Sequence, residues 1–107
     1  MSLLDLHAVV GADRDGGLVI AVDGELDLES APRLSEWITA ALDAGEARVV
    51  VDLSGLSFVD SSGLRALHVS QRAAVQAGVP MVLRGVSRRT FDLLCLTGLD
   101  LVFTIER

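Results

Sequence analysis

Val49-Val50-Val51-Asp52-Leu53-Ser54-Gly55-Leu56-Ser57-Phe58-Val59-Asp60-Ser61-Ser62-Gly63-Leu64 reads as a buried strand, a short loop and the start of a helix. Three consecutive valines are stiff at Cβ and apolar on both faces, which suits a strand covered on both sides. Asp60, Ser61 and Ser62 are residue types that satisfy the free amides of a helix's first turn. Ser61 therefore stands at a helix start, as an ordinary cap or as a regulated position.

Upstream, Leu4, Leu6, Ala8 and Val10 alternate with Asp5, His7 and Val9, which predicts a strand with one face inward and His7 on the more polar face. Gly11–Gly17 supplies a turn and Leu18–Val22 a second strand, together a hairpin. Asp23–Ser30 reads as an acidic loop. Ser30 then caps a helix that carries Pro32 in its first turn, and Leu34, Trp37, Ile38, Ala41 and Leu42 recur at helical spacing. Trp37 belongs to that apolar stripe and so to the core. Gly45 ends the helix.

Downstream, the helix entered at Asp60-Ser61 runs to about Ala77 and stops at Gly78, with Leu64, Leu67, Ala74 and Val75 on its inward side. At about 100° per residue, Arg65, Arg72 and Gln76 gather on another side, with Val69 beside them and His68 at the margin. That face is either solvated or a docking surface for a partner. Val79–Arg84 is the next strand, its proline confined to the start. Ser87 caps a third helix in which Phe91, Leu94 and Cys95 share a face, so Cys95 reads as a small buried apolar group, and Gly98 closes it. Leu99, Leu101, Phe103 and Ile105 alternate as a last strand.

The order is β-β-α-β-α-β-α-β. This predicts an α/β domain over residues 1–107: a mixed β-sheet with an opening antiparallel hairpin and later parallel strands, covered by helices.

Composition narrows the function. Of 107 residues half are hydrophobic and 22% charged, with a net charge of −6 and no lysine. Nucleic-acid binding needs clustered basic residues, so it is not expected. No apolar run approaches the roughly 20 residues that cross a bilayer. Met1-Ser2-Leu3-Leu4-Asp5 lacks the basic start of a signal peptide. A cytoplasmic protein without membrane contact is expected. One cysteine and two histidines leave no internal disulfide and no structural zinc site.

Catalysis finds no constellation. There is no Gly-x-Ser-x-Gly elbow, and His68 lies roughly 10 Å along the helix from Ser61. A phosphate-accepting Asp52, as in receiver domains, lacks its conjugate lysine. Phosphate-cradling Gly-x-x-x-x-Gly-Lys loops are absent as well. Asp27, Asp52 and Asp60 read as caps and turns, not as metal ligands. A non-enzyme without cofactor or metal is expected. Two readings of Ser61 stay open: a plain helix cap, or an acceptor whose phosphate would gain from the helix amides beside Asp60 and near Asp27, if the acidic loop converges there.

Gly24-Glu25-Leu26-Asp27, Asp52-Leu53, Leu56-x-Phe58-x-Asp60-Ser61-Ser62-Gly63-Leu64 and Thr97-Gly98-Leu99 resemble, in register over almost the whole chain, the STAS domain of bacterial anti-sigma factor antagonists. The resemblance implies phosphorylation of Ser61 by a partner that is both anti-sigma factor and serine kinase. The unphosphorylated antagonist would bind that partner and free the sigma factor, and a PP2C-type phosphatase would reset it. Asp27, Asp60, Ser62 and Gly63 would surround the phosphorylated serine, and Asp27, Arg65, Val69 and Arg72 would meet the partner. Members of that family commonly carry a terminal helix after the last strand, which this sequence lacks. A monomer or weak dimer is expected. The rival readings are a STAS scaffold subunit of a larger stress-signalling complex and a small-ligand or nucleotide-binding STAS module.

Overall fold

The structure is a computed structural model that describes residues 5–106. Its elements are β1 (His7–Ala12), β2 (Leu18–Leu26), α1 (Ala31–Asp43), β3 (Val49–Val59), α2 (Ser61–Ala77), β4 (Met81–Arg84), α3 (Arg88–Leu96) and β5 (Thr104–Ile105), the order the sequence predicts. One five-stranded sheet runs β1-β2-β3-β4-β5, with β1 antiparallel to β2 and the other neighbours parallel. Gly45, Gly78 and Gly98 follow the three helices, each with a positive φ that stops the helix. No helix among the described residues is long and apolar enough to cross a membrane.

The valines of β3 organise the interior. Val49, Val51 and Leu53 alternate onto one face and join Ile20, Val22, Met81 and Leu83 in a core completed by Leu34 and Ile38 of α1, Leu64 and Leu67 of α2, and Leu94 of α3. Val50 and Val82 point to the opposite face and are buried too, outside that core. Arg84, two residues beyond Val82 on the same strand face, bonds Asp13 at 3.2 Å and Glu106 at 2.7 Å; Arg48 reaches Asp13 at 2.7 Å and Glu106 at 3.3 Å. This ring ties the β1–β2 turn to the end of the chain's last strand.

Asp13 is only 4% exposed, and burial alone would raise its pKa. The hydrogen bonds and charge of Arg84, with the charge of Arg48, outweigh that and hold the carboxyl below its usual value. Hydrogen bonds from Arg84 do the same for Glu106. Both folded-state values are depressed, so the unfolded chain binds more protons in acid. The stabilisation is complete above the unfolded values of about 4 and is lost as pH falls through the lower folded ones. The urea midpoint is therefore expected to drop on acidification from pH 6 to pH 3. Asp13→Asn should be less stable than wild type at pH 7, with the gap closing toward pH 3; a gap constant with pH would contradict this.

Several local expectations are corrected. Leu4 lies outside the described residues, and Val10, assigned inward, is 54% exposed because β1 is the sheet's edge strand. Asp23–Leu26 is not loop but the end of β2, paired with β3 through Asp23↔Gly55, Gly24↔Leu56, Glu25↔Phe58 and Leu26↔Val59 with two register shifts. The loop expected after Leu53 is likewise strand, because β3 continues to Val59 along that same partner. Val75 is exposed, being about 100° round α2 from the buried Ala74. Of the last strand only Thr104–Ile105 forms; Leu101 is 91% exposed while Phe103 enters the core. Cys95 is exposed rather than buried. Partial desolvation, then the carboxylates of Asp100 and Asp92, raise its thiol pKa, which disfavours the thiolate.

Candidate functional site at the start of helix α2

The paired ends of β2 and β3 create the site. Leu26 and Val59 are register partners, and the amide of the next residue, Asp60, donates to Leu26 O at 3.2 Å. Asp60 is extended at φ −117°, ψ −175°, and its Oδ1 accepts from Gly63 N at 3.0 Å. Asp60, not Ser61, is thus the N-cap of α2. Ser61 is the first helical residue. It is exposed, and its hydroxyl has no hydrogen bond to any described residue. The two roles that the sequence left merged at Asp60-Ser61 fall to different residues: the carboxylate caps and the serine is free. Asp60→Ala should lower stability by about 0.5–2 kcal/mol, the usual loss for an N-cap, measured by chemical denaturation.

Ser62 is half-buried and Gly63 buried. A Cβ on Gly63 would stand 2.6 Å from Leu26 Cγ and 2.8 Å from Leu26 O, so only glycine lets the first turn of α2 lie against the end of β2.

On the other side of Leu26, Asp27 folds the loop into α1. Its Oδ1 accepts from the amides of Glu29 and Ser30, both at 3.0 Å, and its carbonyl accepts from Ala31 N at 2.8 Å. The bonds to its carboxylate, the Ser30 amide first, outweigh its desolvation and hold the carboxyl below the usual range. Ser30 sits at the N-cap position of α1 but makes no side-chain capping bond; its hydroxyl donates backward to Glu25 O at 2.7 Å. Asp27 holds the turn that leads into α1, and the first helical amide, Ala31 N, reaches only its carbonyl. Its charge is fixed in place, beside the residue whose carbonyl anchors Asp60.

The Asp27 loop and the Ser61 helix start therefore both adjoin Leu26. From this junction an open groove of about 360 Å³ runs between the helices, lined on the α1 side by Leu28 and Pro32 and on the α2 side by Ser62, Arg65 and Val69. Leu28 is 75% and Val69 54% exposed. Arg65 and Val69 share this groove with the serine's neighbour, whereas Arg72, also exposed, lines a separate groove with Val75 and Val102. Leu28 was missed from the sequence; the signal available was an apolar side chain between two acids, Asp27 and Glu29. Among the described residues no three His, Cys, Asp or Glu side chains cluster as a metal ion would require.

A family model described as STAS domain matches residues 8–107. Anti-sigma-F factor antagonist RsfB of Mycobacterium tuberculosis is 35% identical over 107 residues, covering 98% of this chain and 85% of that protein. Anti-sigma-B factor antagonist of Staphylococcus aureus is 34% identical over 88 residues, covering 81% and 82%. The crystal structure of an anti-sigma factor antagonist from Mycobacterium paratuberculosis superposes with a TM-score of 0.77 at 32% identity, covering 97% of this chain and 87% of that one. With this fold, this junction and these relatives, the chain belongs to the STAS-domain family.

Proposed function

We propose that this protein is an anti-sigma factor antagonist, a non-catalytic cytoplasmic regulator. Its unphosphorylated form binds an anti-sigma factor with serine kinase activity and releases the sigma factor. Phosphorylation of Ser61 switches it off, and a PP2C-type phosphatase restores it. The observation that carries this reading is Ser61 itself: an exposed hydroxyl that bonds no described residue, on a helix start fastened by the bonds of Asp60 to Gly63 N and Leu26 O. A kinase seated in the Leu28–Val69 groove would touch Ser62, the next residue in the chain. The relatives named as antagonists, aligned over 98% and 81% of this chain, supply the partner class.

The test mixes the purified protein with an anti-sigma factor of known serine kinase activity. A complex is expected with ADP. With ATP, one phosphate should appear on the peptide containing Ser61 and the complex should dissociate. Failure to form a complex, or a phosphate on another residue alone, would remove the proposal. A very large particle by light scattering, with no kinase-dependent change, would favour the scaffold reading.

A further inference from the structure

We infer that Arg65 is the internal counter-ion of a phosphate on Ser61 and so relays the modification into the docking groove. This rests on the proposal that Ser61 is the acceptor, and adds to it what the phosphate touches. Ser61 and Arg65 are four residues apart on α2, both exposed, so their side chains are neighbours on one helix face. An anion at the first position and a cation four residues on is the favourable order for such a pair.

Two other arginines of the helix pair are engaged or distant. Arg33, on the facing helix, donates to Leu6 O and lies over Trp37 at 5.9 Å. Arg72 is a further two turns along α2, roughly 10 Å beyond Arg65. Arg65 itself has no ion pair among the described residues, and the Oδ1 of neighbouring Asp60 is taken by Gly63 N. A phosphoserine offers about −1.5 to −2 charges and three acceptor oxygens, which suits the forked donors of a guanidinium.

The consequence is a switch with two parts. Unmodified, Arg65 lines the groove between Leu28 and Val69 as a free cation. Modified, Ser61 brings an anion within one helical turn of Arg65 and draws that cation onto itself. A partner that used the guanidinium loses it at the moment it meets the phosphate.

The test places phosphoserine at position 61 during translation, without any kinase, and follows its second ionisation by ³¹P NMR in the full chain. Arg65→Gln is expected to raise that pKa by about 0.15–0.4, the equivalent of a helix ion pair. Arg65→Lys should restore most of the difference, and Arg72→Gln should leave the value unchanged. Far-UV circular dichroism of the unmodified variants checks that each is folded. Equal pKa values in wild type and Arg65→Gln would overturn the inference, as would an equal shift in Arg72→Gln. Because the phosphoserine is incorporated during translation, this result stands apart from whether a kinase modifies the native chain, which decides the proposed function separately.

Discussion

Gly63→Ala is expected to destabilise the protein by about 1–3 kcal/mol, the range for forcing a methyl group into a packed site. The sign is informative because local propensity predicts the opposite. Gly63 is the third residue of α2, and alanine in a helix is favoured over glycine by about 1 kcal/mol. The added Cβ would meet Leu26 Cγ at 2.6 Å and Leu26 O at 2.8 Å. Neither can yield cheaply: the Leu26 side chain is fully buried in the core, and its carbonyl accepts from Asp60 N. Relief would come from α2 moving away from β2, which breaks the link between the helix start and the Asp27 loop. A loss of 1 kcal/mol lowers the melting temperature of a domain of this size by roughly 4–8 °C, so calorimetry resolves the effect. Ser62→Ala on the half-buried neighbouring position is the control and should fall within about 0.5 kcal/mol of wild type. Gly63→Ala at wild-type stability would mean that α2 does not press on Leu26.

Legibility in the sequence followed the strength of local signals. The order of elements was readable because each helix is bounded by a glycine and carries a clear apolar stripe, as with Leu34, Ile38 and Ala41. Strand lengths were not. Gly24, Glu25, Ser54, Gly55 and Ser57 have the composition of loops, yet they are strand because each segment is the other's partner. Ser57 even donates its hydroxyl to Gly24 O at 3.1 Å. Pairing between residues some thirty positions apart leaves no periodic trace in either segment. The same limit explains the last strand, where Leu99 to Phe103 alternates well but only Thr104 and Ile105 reach β4.

At the site, residue types were legible and their division of labour was not. Asp60-Ser61-Ser62-Gly63 announces a helix start, but which side chain turns back to the amides depends on backbone angles. Asp60 is extended and Ser61 already helical, and that settles the cap. The resemblance implies only that Asp27 is an acid near the serine. Its role as the fastener of the α1 entry needed the bonds to Glu29 and Ser30 to be seen. Glycine at position 63 could be read as a flexible helix start; its requirement is steric and set by Leu26, far away in sequence.

Ser61→Glu is expected to separate binding from stability, under the proposal that the Ser61 rim docks an anti-sigma factor. An acidic side chain in the first turn interacts well with the helix dipole, by about 0.3–1 kcal/mol, reduced here by the adjacent Asp60. Ser61 is exposed and its hydroxyl bonds no described residue, so nothing in the fold resists the change. Unfolding free energy should stay within about 0.5 kcal/mol of wild type. Affinity for the anti-sigma factor should fall about 10- to 100-fold, corresponding to about 1.4–2.8 kcal/mol for a misplaced charge at an interface. Ser61→Ala should keep wild-type affinity and stability while losing phosphorylation. Calorimetric titration paired with urea denaturation reads both quantities for both variants. The loss in Ser61→Glu should shrink as salt is raised, because the rim is exposed and its charges are screened. If glutamate binds as tightly as serine, charge at position 61 does not control docking; if alanine also binds weakly while folded, the hydroxyl is a contact and not a switch.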